Sequence, residues 1–183
     1  MASTHPFGID FGGSGIKGAP VDLAQGDFAE SRVRIETPTP STPEAVATVF
    51  AELLDRFPSS TGPVGVTVPG VVRHGVVESA ANIDKGWLGT DADALFTEAT
   101  GRDVHVVNDA DAAGLAEVRY GAAKGHQGLV IVTTLGTGIG SAMVYRGVLV
   151  PNSELGHLEI EGHNAESRAA NSARETEELS WQE

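Results

Sequence analysis

Residues 7–22 read FGIDFGGSGIKGAPVD, and within them Gly13, Gly15 and Gly18 have the spacing G-x-G-x-x-G. That spacing serves a dinucleotide only where a strand precedes the glycines and a helix starts among them. Phe7, Ile9 and Phe11 supply the strand, a short alternating run of β-prone apolar residues. The helix is missing: Pro20 stands two residues after Gly18 and would break a first turn that had just begun. SGIKGAPV therefore reads as a second strand, and the glycines as the turn of a hairpin with Asp10 at its base. Bare backbone N–H groups in such a turn suit an anion, so a phosphate site is expected in place of a dinucleotide fold.

The hairpin has an echo. GSGIKGAPV (13–21) and GTGIGSAMV (136–144) agree at Gly, Gly, Ile, Ala and Val, with Ser exchanged for Thr, 123 residues apart. Each follows a β-rich stretch and turns into a second strand, which is the pattern of a duplicated lobe. Two lobes that each open on a glycine hairpin would approach a phosphate chain from two sides.

Between the echoes the spacing predicts strands at 7–11, about 14–22 and about 28–36, then a helix over 42–57. Val46, Val49, Phe50, Leu53 and Leu54 share one face of that helix, with Thr42 as N-cap and Pro43 at its first position. PVGVTVPG (63–70) reads as a buried strand and GVVRHGVVESA as a hairpin turning at His74–Gly75. A short helix at 91–101 closed by Gly101 leads to a strand at 104–109 and an Ala-rich helix at 109–123. A strand at 127–136, hairpins up to Val150 and a polar helix at 165–181 complete the order, which is α/β. The division expected is 1–125 for an N-terminal lobe and 126–183 for the beginning of a second lobe. That second lobe holds only its opening strands and one helix when the sequence reaches Glu183, and so reads as incomplete beside the first.

Composition narrows the classes. With 40% hydrophobic and 20% charged residues, the balance is that of a globular chain. No cysteine is present, which excludes disulfides and thiolate metal sites. The first ten residues show neither a basic nor an apolar leader pattern, and the apolar run at 129–132 is too short to span a bilayer. A cytoplasmic protein with no membrane association is expected. The formal net charge is −13, and residues 151–183 alone hold eight acidic and two basic side chains. Nucleic-acid binding rests on Lys and Arg neutralising phosphates, so a nucleic-acid partner is not expected. A phosphorylated substrate is compatible with the charge, because backbone amides and a cation can hold phosphates.

Several polar residues stand where chemistry could occur. Asp10, beside Gly12, Gly13 and Ser14, can hold Mg²⁺ directly or through water, or can simply cap the turn. Lys17 can reach a phosphate as a point charge, or lie exposed on its strand. Asn108 and Asp109 end a strand and begin a helix, where both are favoured N-caps. Strand C-termini in open α/β sheets are also where ligands bind, and a carboxylate there can take a hydroxyl proton during phosphoryl transfer. NSELGHLEIEGHNAES (152–167) crowds Glu154, His157, Glu159, Glu161, His163 and Glu166 together. The spacing of His157 and His163 fits no usual zinc scheme. The donors and acceptors suit a polyhydroxylated ligand, and a solvated acidic loop is the alternative. Asn82, with Trp87 close by, offers a donor and an acceptor to a hydroxyl pair.

Together IDFGGSGIKGA, NDADAAGLAE, TLGTGIGSA and ELGHLEI resemble the repressor/open-reading-frame/kinase family of sugar kinases, and within it the glucokinases that use polyphosphate. The resemblance runs from Phe7 to Trp181. It implies the actin-like ATPase (ribonuclease H-like) fold and a kinase that phosphorylates the C6 hydroxyl of glucose from inorganic polyphosphate or ATP with Mg²⁺. It places the first phosphate loop on Asp10, Gly12, Gly13, Ser14 and Lys17, with Asp10 toward the metal, and the second on Thr137 and Gly138. It places the catalytic base on Asp109 and sugar contacts on Asn82, Asn108, Asp109, Glu154, His157 and Glu166. A homodimer is implied for the full-length form. Most of the family carries a Cys-rich zinc motif after the E-x-G-H segment; this sequence has EIEGHNAESRAA there, so no zinc is expected. The repressor members carry a helix-turn-helix before the first glycine loop, whereas nine residues precede Asp10 here. The family's Gly-rich adenosine-binding segment would follow Glu183. The alternative function is accordingly a non-catalytic fragment that only binds sugar or pairs with other chains.

Overall fold

A computed structural model describes residues 5–80 and 83–180. The chain divides into two compact units, Met1–Asp109 and Ala110–Glu183.

In the first unit, β1 (Phe7–Phe11) and β2 (Ile16–Asp22) form the antiparallel hairpin that the glycines and Pro20 require. Reciprocal bonds between Gly12 and Gly15 close its turn, N to O at 3.2 and 3.3 Å. The single strand expected at 28–36 is instead two, β3 (Asp27–Phe28) and β4 (Val33–Ile35), both antiparallel to β2. Helix α1 (Pro43–Asp55) starts as its sequence dictates, with the Thr42 hydroxyl accepting from the Ala45 N–H at 3.3 Å and proline in its first turn. It leads into β5 (Val64–Val68), parallel to β1.

The small hairpin β6 (Val72–Arg73) and β7 (Val76–Val77) turns at His74 and Gly75, both at positive φ. That is the two-residue turn that matches strand twist. Helix α2 (Ala92–Thr100) is capped by Asp91 and ended by left-handed Gly101. Strand β8 (Val104–Asn108) then adds parallel to β5, giving the order β3-β2-β1-β5-β8 with β4 also on β2.

Alternation along β1, β5 and β8 turns Phe7, Ile9, Phe11, Val64, Val66, Val68, Val104 and Val106 into one core with Val46, Phe50 and Leu53 of α1 and Phe96 of α2. Aromatic contacts run through it: Phe50 stacks on Phe96 at 4.3 Å, and Trp87 lies 5.7 Å from Phe96 and 5.5 Å from Phe11. Trp87 is thus a core side chain, its indole N–H bonded to the Ser41 carbonyl at 2.8 Å.

Helix α3 (Asp109–Arg119), which starts on the last residue of the first unit and continues into the second, is shorter than the helix expected to 123. The echo of the first hairpin is again a hairpin, β9 (Leu129–Leu135) with β10 (Ile139–Tyr145), and β11 (Val148–Val150) pairs with β10 on its far side. The echoing alanines, Ala19 and Ala142, are both fully buried. Beyond these strands comes a hairpin that the sequence pattern does not announce, β12 (Glu159–Ile160) with β13 (His163–Asn164). The polar helix expected over 165–181 is two short ones, α4 (Glu166–Ala169) and α5 (Asn171–Thr176), separated at Ala170, whose backbone is extended. Among the described residues no helix is long and apolar enough to cross a membrane.

The three-stranded sheet has unequal faces. Ala142 and Val144 are buried on one side. Cross-strand register puts Leu129, Tyr145 and Val148 in one row of the other side, and Ile131, Met143 and Val150 in the next. Of these six, all but Met143 are about half exposed or more. An exposed apolar face beside the edge strand β9 favours association. The chain is expected to self-associate as concentration rises, and Ile131→Lys with Val148→Lys should suppress this while leaving the buried face intact. Light scattering across a dilution series checks both.

Candidate active site

The first glycine turn carries a row of polar side chains. Register places Asp10 opposite Lys17, Lys17 opposite Arg34, and Asp10 opposite Thr67 on its other side. Strand alternation directs Asp10 away from the apolar core. Its carboxylate accepts from the Thr67 hydroxyl at 3.1 Å and lies 3.4 Å from the Lys17 ammonium. The Arg34 guanidinium donates to the Ser14 carbonyl at 2.5 Å and lies across Gly15, where a Cβ would collide with it. The Thr37 hydroxyl donates to the Gly12 carbonyl at 2.6 Å. Asp10, Gly12, Ser14 and Lys17 thus share one turn, beside open space at Gly13. One exposed carboxylate beside a glycine turn is a donor set suited to Mg²⁺, which binds through one or two carboxylates plus substrate phosphates. Thr67 and Arg34 were missed by sequence reasoning, because only a long-range register brings them to Asp10.

At the end of β8, Asn108 is buried and its amide donates to the Gly70 carbonyl at 3.0 Å. Asp109 follows as the first residue of α3, exposed. Asn82 lies outside the described residues.

In the second unit three of the expected sugar contacts meet. His157 ends a short 3-10 turn, Leu155–His157. Its Nε2 is 3.5 Å from Glu154 Oε2, and its Nδ1 is 3.6 Å from Glu166 Oε1 and 3.3 Å from the Asn164 amide. Glu166 also accepts the Ile139 N–H at 3.1 Å, with its carboxylate laid over Gly138. The Thr137 carbonyl accepts from the Ser172 hydroxyl at 2.5 Å. Thr137, Gly138, Glu154, His157 and Glu166 therefore form one polar cluster at the second glycine turn. His163 is turned to Arg168, with Nε2 2.9 Å from the guanidinium.

Two buried polar residues lie beneath this cluster, Asp111 of α3 and Ser141 of β10. Burial pushes the Asp111 carboxyl above the usual carboxylate range, and the hydrogen bond from the Asn152 N–H opposes that shift. Sequence reasoning missed both; the only signal was a second acidic residue two positions beyond Asp109.

The first unit thus offers a glycine hairpin with a carboxylate at its turn, and the second an echo of that hairpin with a cluster of carboxylates and imidazole at its turn, in an α/β chain. The ROK family model matches residues 6–173, and the chain belongs to the ROK family, whose sugar kinases have the actin-like ATPase fold. It is 54% identical over 178 residues to a polyphosphate glucokinase of Mycobacterium tuberculosis, covering 97% of this chain and 67% of the relative. It is 52% identical to the polyphosphate glucokinase of Mycobacterium leprae, covering 96% of this chain and 54% of that one. Among solved structures, the inorganic polyphosphate/ATP-glucomannokinase of Arthrobacter sp. strain KM superposes with a TM-score of 0.91 at 56% identity, over 98% of this chain and 73% of that one. A ROK glucokinase from Streptomyces griseus, solved with glucose and AMPPNP, gives 0.80 at 29% identity, over 92% and 58%.

The closeness of Glu166 to the second turn has a direct test. Gly138→Ala would place a methyl against the Glu166 carboxylate, so Glu166 should release the Ile139 N–H. Amide hydrogen exchange at Ile139 is expected to accelerate in Gly138→Ala and in Glu166→Ala, and to change little in Glu166→Gln, which keeps an acceptor.

Proposed function

We propose that this chain carries the glucose-handling and phosphate-handling residues of a cytoplasmic glucokinase. The enzyme moves the terminal phosphoryl group of inorganic polyphosphate or ATP to the C6 hydroxyl of glucose. The observation that supports this most is the Glu154–His157–Glu166 cluster beside the second glycine turn, in a chain so similar to polyphosphate glucokinases.

Each role is set by side-chain chemistry. Asn82, Asn108, Glu154, His157 and Glu166 offer donors and acceptors to the sugar hydroxyls, which fixes the ring and aims O6. As O6 forms its bond to the terminal phosphorus, the bond from phosphorus to the leaving phosphate breaks, and Asp109 takes the O6 proton. The N–H groups of Gly13 and Ser14, at the turn closed by Gly12, with Lys17, hold donor phosphates on one side, and those at Thr137 and Gly138 on the other. Such preorganised donors supply the electrostatic stabilisation that dominates phosphoryl transfer. Asp10, steadied by Thr67, is the residue that would hold Mg²⁺, which when bound neutralises phosphate charge. No nucleic-acid or membrane partner enters this reading, and a homodimer is the expected full-length assembly.

Asp109→Asn keeps shape and capping ability but removes the anionic proton acceptor. It should lower kcat about 10²–10⁴-fold, the usual worth of a general base, with unfolding unchanged. A coupled assay for glucose 6-phosphate checks this, and full turnover in the variant would reduce Asp109 to a helix cap. No turnover by the unaltered chain with either donor, alongside retained glucose binding, would favour the non-catalytic alternative.

Alanine at Glu154 or His157 should raise the glucose KM or abolish glucose binding, while polyphosphate and nucleotide titrations stay nearly unchanged. Calorimetric titration with each ligand separates the two. An effect confined to the donor would move this loop to the phosphate side of the reaction.

A further inference from the structure

Four polar side chains are buried among the described residues, and the two in the second unit, Asp111 and Ser141, serve one short segment. Asp111 Oδ2 accepts the Asn152 N–H at 2.9 Å. Ser141 Oγ accepts the Leu155 N–H at 2.8 Å and lies 3.3 Å from the Ser153 hydroxyl, which donates to the Ser141 carbonyl at 3.0 Å. Residues 152, 153 and 155 are thereby tied from two elements, α3 and β10.

Glu154, the residue between the ties, needs them. Its φ is +34°, and that of Asn152 is +56°. Left-handed backbone at a residue with a Cβ is unfavourable and persists only where the surroundings over-determine it. The next glycine tightens the same point: a Cβ on Gly156 would run into the Ile139 carbonyl. Segment 152–156 is thus pressed on β10 in a conformation that it would not hold alone. The direction in which Glu154 and His157 leave the backbone depends on that conformation.

We infer that Asp111 and Ser141 are positioning residues, which set the strained 152–156 backbone so that Glu154 and His157 are presented to the sugar. This rests on the reading that Glu154 and His157 bind glucose. It adds that affinity for the sugar depends on two buried groups that do not touch it. A buried acceptor that loses its bonding role leaves a backbone N–H unsatisfied, which is costly. The strain is released in the same step, so the backbone relaxes and does not merely weaken. Asparagine at 111 keeps an oxygen in the accepting position and removes the cost of burying a carboxylate, so it is the conservative control.

The experiment compares Asp111→Ala, Asp111→Asn, Ser141→Ala and Glu154→Ala with the unaltered chain. Amide exchange at Asn152 and Leu155, cooperative unfolding, and glucose and donor titrations are measured for each. Exchange at Asn152 should rise about 10-fold or more in Asp111→Ala, and exchange at Leu155 similarly in Ser141→Ala. Glucose binding should weaken by about the same factor in both, with donor binding held within about 2-fold and Asp111→Asn close to the unaltered chain. Should Asp111→Ala not fold, Ser141→Ala and Asp111→Asn carry the same comparison. Unchanged exchange at these amides in a folded variant overturns the inference, as does unchanged glucose binding where Glu154→Ala abolishes it. Glucose binding that survives Glu154→Ala overturns the sugar-site reading instead, and the exchange data still decide whether Asp111 and Ser141 hold the segment.

Discussion

The antiparallel register of β1 with β2 is the constraint on which the first unit depends. It sets Gly18 opposite Ile9 and Lys17 opposite Asp10. On the core side, an added Cβ at Gly18 would stand 2.6 Å from Phe7 Cε1, 2.8 Å from Leu53 Cδ2 and 2.9 Å from the Gly8 carbonyl. Its absence therefore lets α1 close onto the sheet. On the other side, the same register sets Lys17 beside Asp10 at the glycine turn, where the parallel β1–β5 register adds Thr67. A slip of one residue would exchange the two faces, opening the core and burying the charges together. Core packing and the charged pair at the glycine turn are thus two consequences of one alignment, which the Gly12–Gly15 turn closes.

The second unit repeats the hairpin but fills it differently. By the echo, the place of Gly18 is taken by Ser141, and both are in the second strand of their hairpin. In the first unit that place is empty so that a helix can approach. In the second it holds a buried hydroxyl that accepts the Leu155 N–H. The same backbone supports steric closure in one copy and polar anchorage in the other. That difference matches the element each hairpin has to receive: a helix to be packed in the first unit, and a loop of charged side chains to be held in the second.

Local signals carried most of what the sequence revealed. The Thr42–Pro43 start, the Asp91 cap, the Gly101 stop and the His74–Gly75 turn each depend on a few adjacent residues, and the elements they bound lie where those residues imply. The failures share a different cause. Residues 28–36 form two short strands because each pairs with a different stretch of β2, which is a tertiary decision. The polar stretch after 165 lacks a continuous apolar face, and it breaks at Ala170 into two short helices. Trp87, read as a companion of a binding loop, is wholly buried among Phe11 and Phe96. Composition marked Glu154, His157 and Glu166 as a group, and the structure brings them together. The supports beneath them, Asp111 and Ser141, were hidden among residues that read as ordinary helix and strand.

A chain of formal charge −13 is an unexpected host for the anionic phosphate donor proposed for it, and the charges at the first hairpin bear on that conflict. Its row contains two cations, Arg34 and Lys17, and one anion, Asp10, so the row carries a net positive charge within an acidic molecule. At physiological ionic strength, exposed charges more than about 8 Å apart are largely screened. A phosphate at the turn would respond mainly to that row and to the amides of Gly13 and Ser14. Arg34 has a further effect, because its guanidinium lies on Gly15 and holds the Ser14 carbonyl. The cation that offsets the global charge also shapes the turn it serves, so its position is fixed before any anion arrives and little reorganisation is left to oppose binding.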